Sequence, residues 1–179
     1  MTASPASFTG VRFPRAHTAA ESWLKERRER GQDGRDEVWE GEYRVAPNAP
    51  VEHALVAYEV KVVLSGRARE ARLRGCDEFN LGSRDDFRVP DGGWLREDAA
   101  RSLYMPTAEV VLEVLSPEDE TFAKFPFYAR HGVGELLVAH PVERWVRCWA
   151  LRGQAYEEVD RSERLDVAMT TVVAEVRWP

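Results

Sequence analysis

The sequence predicts a mixed α/β protein, with a mixed β-sheet flanked by a few helices and an additional hairpin towards the C-terminal end. Three observations carry this reading. Strand-like segments outnumber helix-like ones and are joined by short turns. A regular strand–helix–strand alternation is missing. Residues 109–115 and 135–139 are near-continuous apolar runs, as expected of strands covered on both faces. The 179 residues, 44% hydrophobic and 31% charged, can bury one core. We expect a single domain over residues 18–179, behind a lead-in at 1–17 that contains Pro5 and Pro14.

Residues 19–30 favour a helix, which "GQDG" at 31–34 ends by supplying glycines where the backbone turns. "EVWEGEYRV" (37–45) alternates around Gly41 and reads as a strand or hairpin, closed by "APNAP". Residues 51–65 place Leu55, Ala57, Tyr58, Val62 and Val63 close to a helical stripe, although β-branched residues oppose it. Two strands are expected at 76–81 and 86–89, then a turn at "PDGG" (90–93). Residues 105–115 read as one long apolar strand that Ser116-Pro117 stops. "EDETFAKFPFYARHGVGE" suits a short helix ended by Gly132, with Pro126 in its first turn. "ELLVAHP" is a buried strand, "RWVRCWAL" and "AYEEV" form a hairpin about Gly153, and "MTTVVAEVRWP" is expected to be a closing strand.

Composition narrows the function classes. No run approaches the ~18 apolar residues of a membrane span, and the N-terminal stretch lacks the charged-then-apolar order of a secretory signal, so a cytoplasmic protein is expected. Cys76 and Cys148 are too few and too distant in sequence for a zinc cluster or disulfide framework. There is no glycine-rich dinucleotide or triphosphate loop. The net charge of −6 argues against a protein that coats nucleic acid non-specifically, but not against a nuclease. Two basic stretches, residues 25–30 and 66–75, could meet phosphates; equally, they could be solvated helix faces with pairs such as Glu26–Arg30 and Glu70–Arg74.

Glu113 stands out because it lies in the middle of "EVVLEVLSP". Period-two geometry puts it on one face with Val111 and Leu115, while Val110, Leu112 and Val114 take the other. An unpaired carboxylate buried there costs several kcal/mol, so it must be protonated, paired with a cation or bound to a metal. A second acid, Asp91, follows a predicted strand upstream, and Lys124 lies on the predicted helix downstream. Two carboxylates on strand ends can hold Mg²⁺, and a nearby ammonium can stabilise charge on phosphoryl oxygens. Each part has a plain alternative: a buried ion pair for Glu113, a turn for Pro-Asp-Gly, a solvated surface position for Lys124.

The order and spacing of "VPDGGWL", "AEVVLEVLSPEDE" and "KFPFYARHGVGELLVAHP" resemble the Uma-type restriction endonuclease family, a branch of the PD-(D/E)XK nuclease superfamily. "EVWEGEYRV" followed by His53 is similar to that family's N-terminal half, and the likeness spans about residues 18–160. It implies a restriction-endonuclease-like core sheet of four or five mixed strands between helices, with a metal site at its edge. By position, Asp91 and Glu113 would be the metal-binding acids and Lys124 the lysine, placed on the helix because Leu115 fills the superfamily's usual lysine position. Glu42 and His53 match recurrent positions with a part in metal binding or water activation. His140 stands where the family usually has Asp, and is expected simply to finish a strand. The implied activity is hydrolysis of DNA phosphodiester bonds with Mg²⁺, or Mn²⁺ in its place; a homodimer is an expectation of a different origin, since cutting both strands of a duplex usually takes two sites. The competing class is a non-catalytic interaction or nucleic-acid-binding protein that keeps the fold, using Trp145, Trp149 and Trp178 for contact unless these belong to the hairpin core.

Overall fold

A computed structural model of the chain describes residues 12–14, 18–46, 48–116 and 120–179. Strand β1 (Arg12–Pro14) and helix α1 (Thr18–Glu29) come first. Strands β2 (Glu37–Trp39) and β3 (Glu42–Arg44) form a hairpin that turns through Glu40 and Gly41, both at positive φ. Helix α2 (Val51–Glu70) continues past the expected end at Ser65. Then follow β4 (Leu73–Cys76), β5 (Asn80–Ser83), β6 (Asp86–Arg88), β7 (Gly92–Arg96), β8 (Tyr104–Met105) and β9 (Val110–Val114). A 3-10 turn (Thr121–Lys124) runs into α3 (Phe125–Arg130). The chain continues through β10 (Glu135–His140), β11 (Trp145–Arg152), β12 (Ala155–Val159), β13 (Arg161–Ser162), β14 (Val167–Ala168) and α4 (Met169–Glu175).

The main sheet has six strands in the order β12-β11-β10-β9-β7-β4. Within it β9 and β10 are parallel, joined by the α3 crossover, and the remaining neighbours are antiparallel. This is the mixed α/β fold expected, with the C-terminal hairpin β11–β12 at one edge. A further six-stranded sheet, β1-β3-β2-β6-β5-β8, was not foreseen.

Helices α2 and α4 cover one face of the main sheet. Val56, Val60 and Leu64 of α2 and Val172 of α4 pack with Val110, Leu112, Val114 and Leu137. The opposite face carries Val111 and Leu136 against Phe127 and Tyr128 of α3 and Leu81 of β5. All five residues of β9 are buried, which is why its sequence is apolar on both faces.

Three local expectations are corrected. "PDGG" is not a chain-breaking turn: Gly92 and Gly93 open β7 because neighbouring strands leave no room for a side chain. A Cβ at Gly93 would stand 2.9 Å from both the Phe79 ring and the Val110 carbonyl, and one at Gly92 would stand 3.1 Å from the Cys76 carbonyl. The single strand expected at 105–115 divides at Pro106, which has no N–H for a ladder; β8 pairs with β5 and β9 joins the main sheet. The closing segment is helix α4, because Met169, Val172 and Val176 meet the core at helical intervals despite two adjacent valines.

The Glu26–Arg30 pair forms at 2.5 Å, whereas Glu70 ends α2 and Arg74 lies in β4, so the second expected pair has no helix to support it. Cys76 and Cys148 are free thiols, and Cys148 is buried in the core. Trp149 packs edge-on against Phe122 and Phe125, and the Trp178 indole donates to the Val173 carbonyl. Both are half-buried parts of the fold. No helix among the described residues is long and apolar enough to cross a membrane.

Candidate active site

Strand β9 holds Glu113 rigidly at 3% exposure, paired with Val138 of β10 on one side. On the other side, β7 aligns Gly92 with Leu112, and continuing that antiparallel register by one residue sets Asp91 beside Glu113. The close approach that Gly92 and Gly93 permit is therefore what brings the two acids together.

Glu113 is met from α3 and the turn before it. Lys124 Nζ lies 3.1 Å from Oε1 and 3.3 Å from Oε2, and the Tyr128 hydroxyl donates to Oε1 at 2.5 Å. These two residues are four apart, Lys124 ending the 3-10 turn and Tyr128 lying in α3, so one continuous helical stretch delivers an ammonium and a phenol to the same carboxylate.

Asp91, also buried, is held from three directions. The Val114 amide donates to Oδ2 at 2.8 Å, His53 Nε2 lies 3.1 Å from the same oxygen, and Arg35 Nη2 donates to Oδ1 at 2.5 Å. His53 sits in the first turn of α2, which packs over β7 and β9 and so brings its N-terminal end to the site.

A third carboxylate completes the group. Glu37 of β2 lies 3.0 Å from Lys124 Nζ through Oε1, which also accepts the Val89 amide at 2.8 Å. Its Oε2 accepts the Trp39 indole at 2.5 Å. Lys124 thus bridges Glu37 and Glu113, and the second sheet contributes to the site through β2.

Other buried carboxylates make the contrast plain. Glu135 is satisfied by Ser162 and by the amides of Glu163 and Arg164, tying β10 to the loop after β13. Glu59 takes two hydrogen bonds from Arg177, and Asp36 is bound by Arg27, Tyr43 and the Ala46 amide. Those three are structural ties. Glu113 and Glu37 instead share Lys124, and Asp91, set beside Glu113, is held by His53 and Arg35.

This crowding shifts the titrations. Burial pushes the Glu113 carboxyl up to about 8, with the Asp91 and Glu37 charges adding to it and Lys124 and Tyr128 opposing. Burial alone would also raise Asp91, but His53, the Val114 amide and Lys124 together bring it below its ordinary value. Burial works against the Lys124 charge, yet Glu113, Glu37 and Asp91 hold its pKa above that of a free lysine. Tyr128 is raised well above a free tyrosine by burial and then by Glu113 and Glu37. At neutral pH the consistent state has Lys124 charged, Tyr128 neutral and Glu113 protonated, with burial the largest cause of the last.

Of the residues expected from sequence, Asp91, Glu113, Lys124 and His53 are brought together. Glu42 lies on the outer hairpin, 3.3 Å from Arg44, whose guanidinium stacks 3.6 Å over Trp39 and also meets Glu120. Glu37, five residues earlier in the same hairpin, is the acid at the cluster. His140 ends β10 and accepts the Glu143 amide, a strand-closing role. Sequence reading missed Glu37, Arg35 and Tyr128. Tyr128 had a signal, four residues after Lys124 in "KFPFYAR"; Arg35, in a loop, had none.

No group of three or more His, Cys, Asp or Glu side chains among the described residues is arranged as a metal cage. The donor set is two carboxylates, Asp91 and Glu113, with partners already drawn to them: Arg35 and the His53 imidazole on the first, Lys124 on the second. Hard oxygen ligands of this kind suit Mg²⁺, which keeps several waters and asks for one or two protein carboxylates.

Comparison with known proteins agrees with this fold. A family described as "Uma2: Putative restriction endonuclease" matches residues 22–178. No curated protein matches the chain. Among solved structures, "a putative nuclease belonging to DUF820" from Anabaena variabilis ATCC 29413 is similar, with a TM-score of 0.63 and 16% identity over 78% of this chain and 89% of that one. At that identity the likeness carries the fold alone. The family match extends over most of the chain and takes in Glu37, His53, Asp91, Glu113 and Lys124. The chain belongs to the Uma2 family of restriction-endonuclease-type proteins.

Proposed function

We propose that this chain is a metal-dependent endonuclease that hydrolyses DNA phosphodiester bonds, with Asp91 and Glu113 as the acids that would hold Mg²⁺ or, in its place, Mn²⁺. The observation that carries the reading is the carboxylate pair on adjacent strands with Lys124 within 3.1 Å of Glu113. When bound, a divalent ion would polarise the phosphate and lower the pKa of a coordinated water.

The chain's own groups have distinct tasks. Lys124, kept cationic by its carboxylate neighbours, is suited to stabilise charge gathering on phosphoryl oxygens and unsuited to act as a base. Tyr128 fixes the Glu113 rotamer through its hydroxyl, and Glu37 anchors Lys124 from the opposite side. His53 and the Val114 amide orient Asp91. Glu113 would have to be deprotonated before it could ligate a cation, so metal uptake by this site would release a proton.

Supercoiled plasmid DNA with Mg²⁺ is the test. Glu113→Gln and Lys124→Ala should each lower the cleavage rate by at least ~10²-fold. Cleavage that survives both substitutions would show the roles to be wrongly assigned. The competing non-catalytic reading expects no cleavage by the unaltered chain and no uptake of Mg²⁺ or Mn²⁺ that depends on Asp91.

A further inference from the structure

Helix α2 is apolar on two sides. Its inner stripe, Val56, Val60 and Leu64, is fully buried. On its outer side Val51, Leu55, Tyr58 and Val62 are 65%, 47%, 59% and 44% exposed. These four recur at i, i+4, i+7 and i+11, which aligns them along one line of the helix. They are half of the large exposed apolar side chains among the described residues. A helix with apolar residues all round is ordinarily covered on both sides. Scattered exposed apolar residues need no explanation, but an aligned row of four does.

Beside the row runs a groove of about 580 Å³ between α2 and β4, lined by Tyr58, Lys61, Val62, Ser65, Arg69 and Arg74 among others. Strand β4 is an edge of the main sheet, so this flank of the molecule ends in an unpaired ladder. Arg74 is exposed on that edge and discourages strand-to-strand pairing, which leaves the helix as the contact element.

We propose that the outer face of α2 is a self-association surface, on which a second copy of this chain lays the same helix antiparallel about a two-fold axis. The charges on the helix select this occupant. Glu52 lies exposed in its first turn and Arg69 lies exposed in its last. A two-fold axis between Tyr58 and Val62 brings Arg69 of each copy to the Val51–Glu52 end of the other, so the same pair forms twice. The same symmetry sets Tyr58 against Val62 and Leu55 against Ser65 and Gly66. Gly66 has nothing within 4 Å of where a Cβ would be, which leaves room for an incoming leucine. The contact row, from Val51 to Arg69, is about 27 Å long. Nucleic acid is a poorer occupant, since a row of Val, Leu, Tyr and Val offers nothing to phosphate and Lys61, one of the groove's three basic residues, is already paired with Asp77.

This surface does not depend on the nuclease reading and is tested apart from it, by mass. Sedimentation equilibrium of the full chain at micromolar concentration should give twice the protomer mass of 20.4 kDa. Val62→Asp should return the single mass with an unchanged far-UV spectrum, because Val62 faces outward in the protomer. Glu52→Arg and Arg69→Glu should each weaken association at least tenfold, and the double exchange should recover most of it. Thermal midpoints should rise with concentration for the unaltered chain and not for Val62→Asp. A single-mass unaltered chain overturns the proposal, whether nucleic acid or another protein then covers the face. A dimer indifferent to all three substitutions overturns it equally, since association would then use another surface.

Discussion

Glu113 poses the sharpest energetic problem in the chain, and most of the candidate site follows from its solution. A carboxylate at the centre of a strand buried on both faces must be neutralised. The molecule does this with Lys124, with Tyr128, and by holding the acid protonated up to about pH 8. The sign of the resulting pH dependence is fixed. A free Glu titrates near 4.5 and Glu113 near 8, so between these values the folded chain carries a proton that the unfolded chain has lost. Stability contributed by this residue is therefore greatest below the unfolded value and declines as pH rises towards 8. In metal-free buffer Glu113→Gln should raise the thermal midpoint relative to the unaltered chain, by an amount that grows from about pH 5 to about pH 8. A pH-independent difference measured by calorimetry across that range would contradict the assignment. This residue was legible in sequence because a lone acid in an apolar run breaks the pattern. Glu37 was not: its hairpin contains three glutamates within six residues, and only the pairing of β2 with β6 decides which one reaches Lys124.

At the scale of elements, the site rests on two close approaches. The first is β7 against β9, which Gly92 and Gly93 allow. Gly93→Ala would force a Cβ to 2.9 Å from the Val110 carbonyl, a backbone atom that cannot swing aside. We expect a loss of about 1–3 kcal/mol in denaturant unfolding, with Asp91 displaced from its Val114 amide. An unchanged midpoint would mean that the strands separate without cost. The second approach is α3 against β9, which delivers Lys124 and Tyr128 together. Both elements were visible in sequence, but "PDGG" gave the wrong cue. Pro-Asp-Gly has the local chemistry of a turn, and local chemistry does not register that two neighbouring strands exclude side chains. The closing helix α4 was misjudged for the related reason that its valines favour strand locally, while their spacing matters only once α2 and β11 are in place.

The whole molecule is acidic, with a net charge of −6, yet it sets Arg35 and Lys124 against the acids of one locus. Those groups serve the Asp91–Glu113 pair. The mixed main sheet was legible from the apolar runs at β9 and β10. The second sheet was not, because strands of two to four residues leave too short a pattern for periodicity to report. It is nevertheless this sheet that carries Glu37 to the site, so the candidate centre is built from both sheets and two helices together. Asp91 and Glu113 are proposed to grip one divalent cation. Calorimetric titration of Mn²⁺ into the full chain measures this directly, with Asp91→Asn and Glu113→Gln titrated alongside. A single binding event, accompanied by proton release, is expected, and both substitutions should abolish it while the fold persists. Uptake of Mn²⁺ unaffected by either one would contradict the proposal.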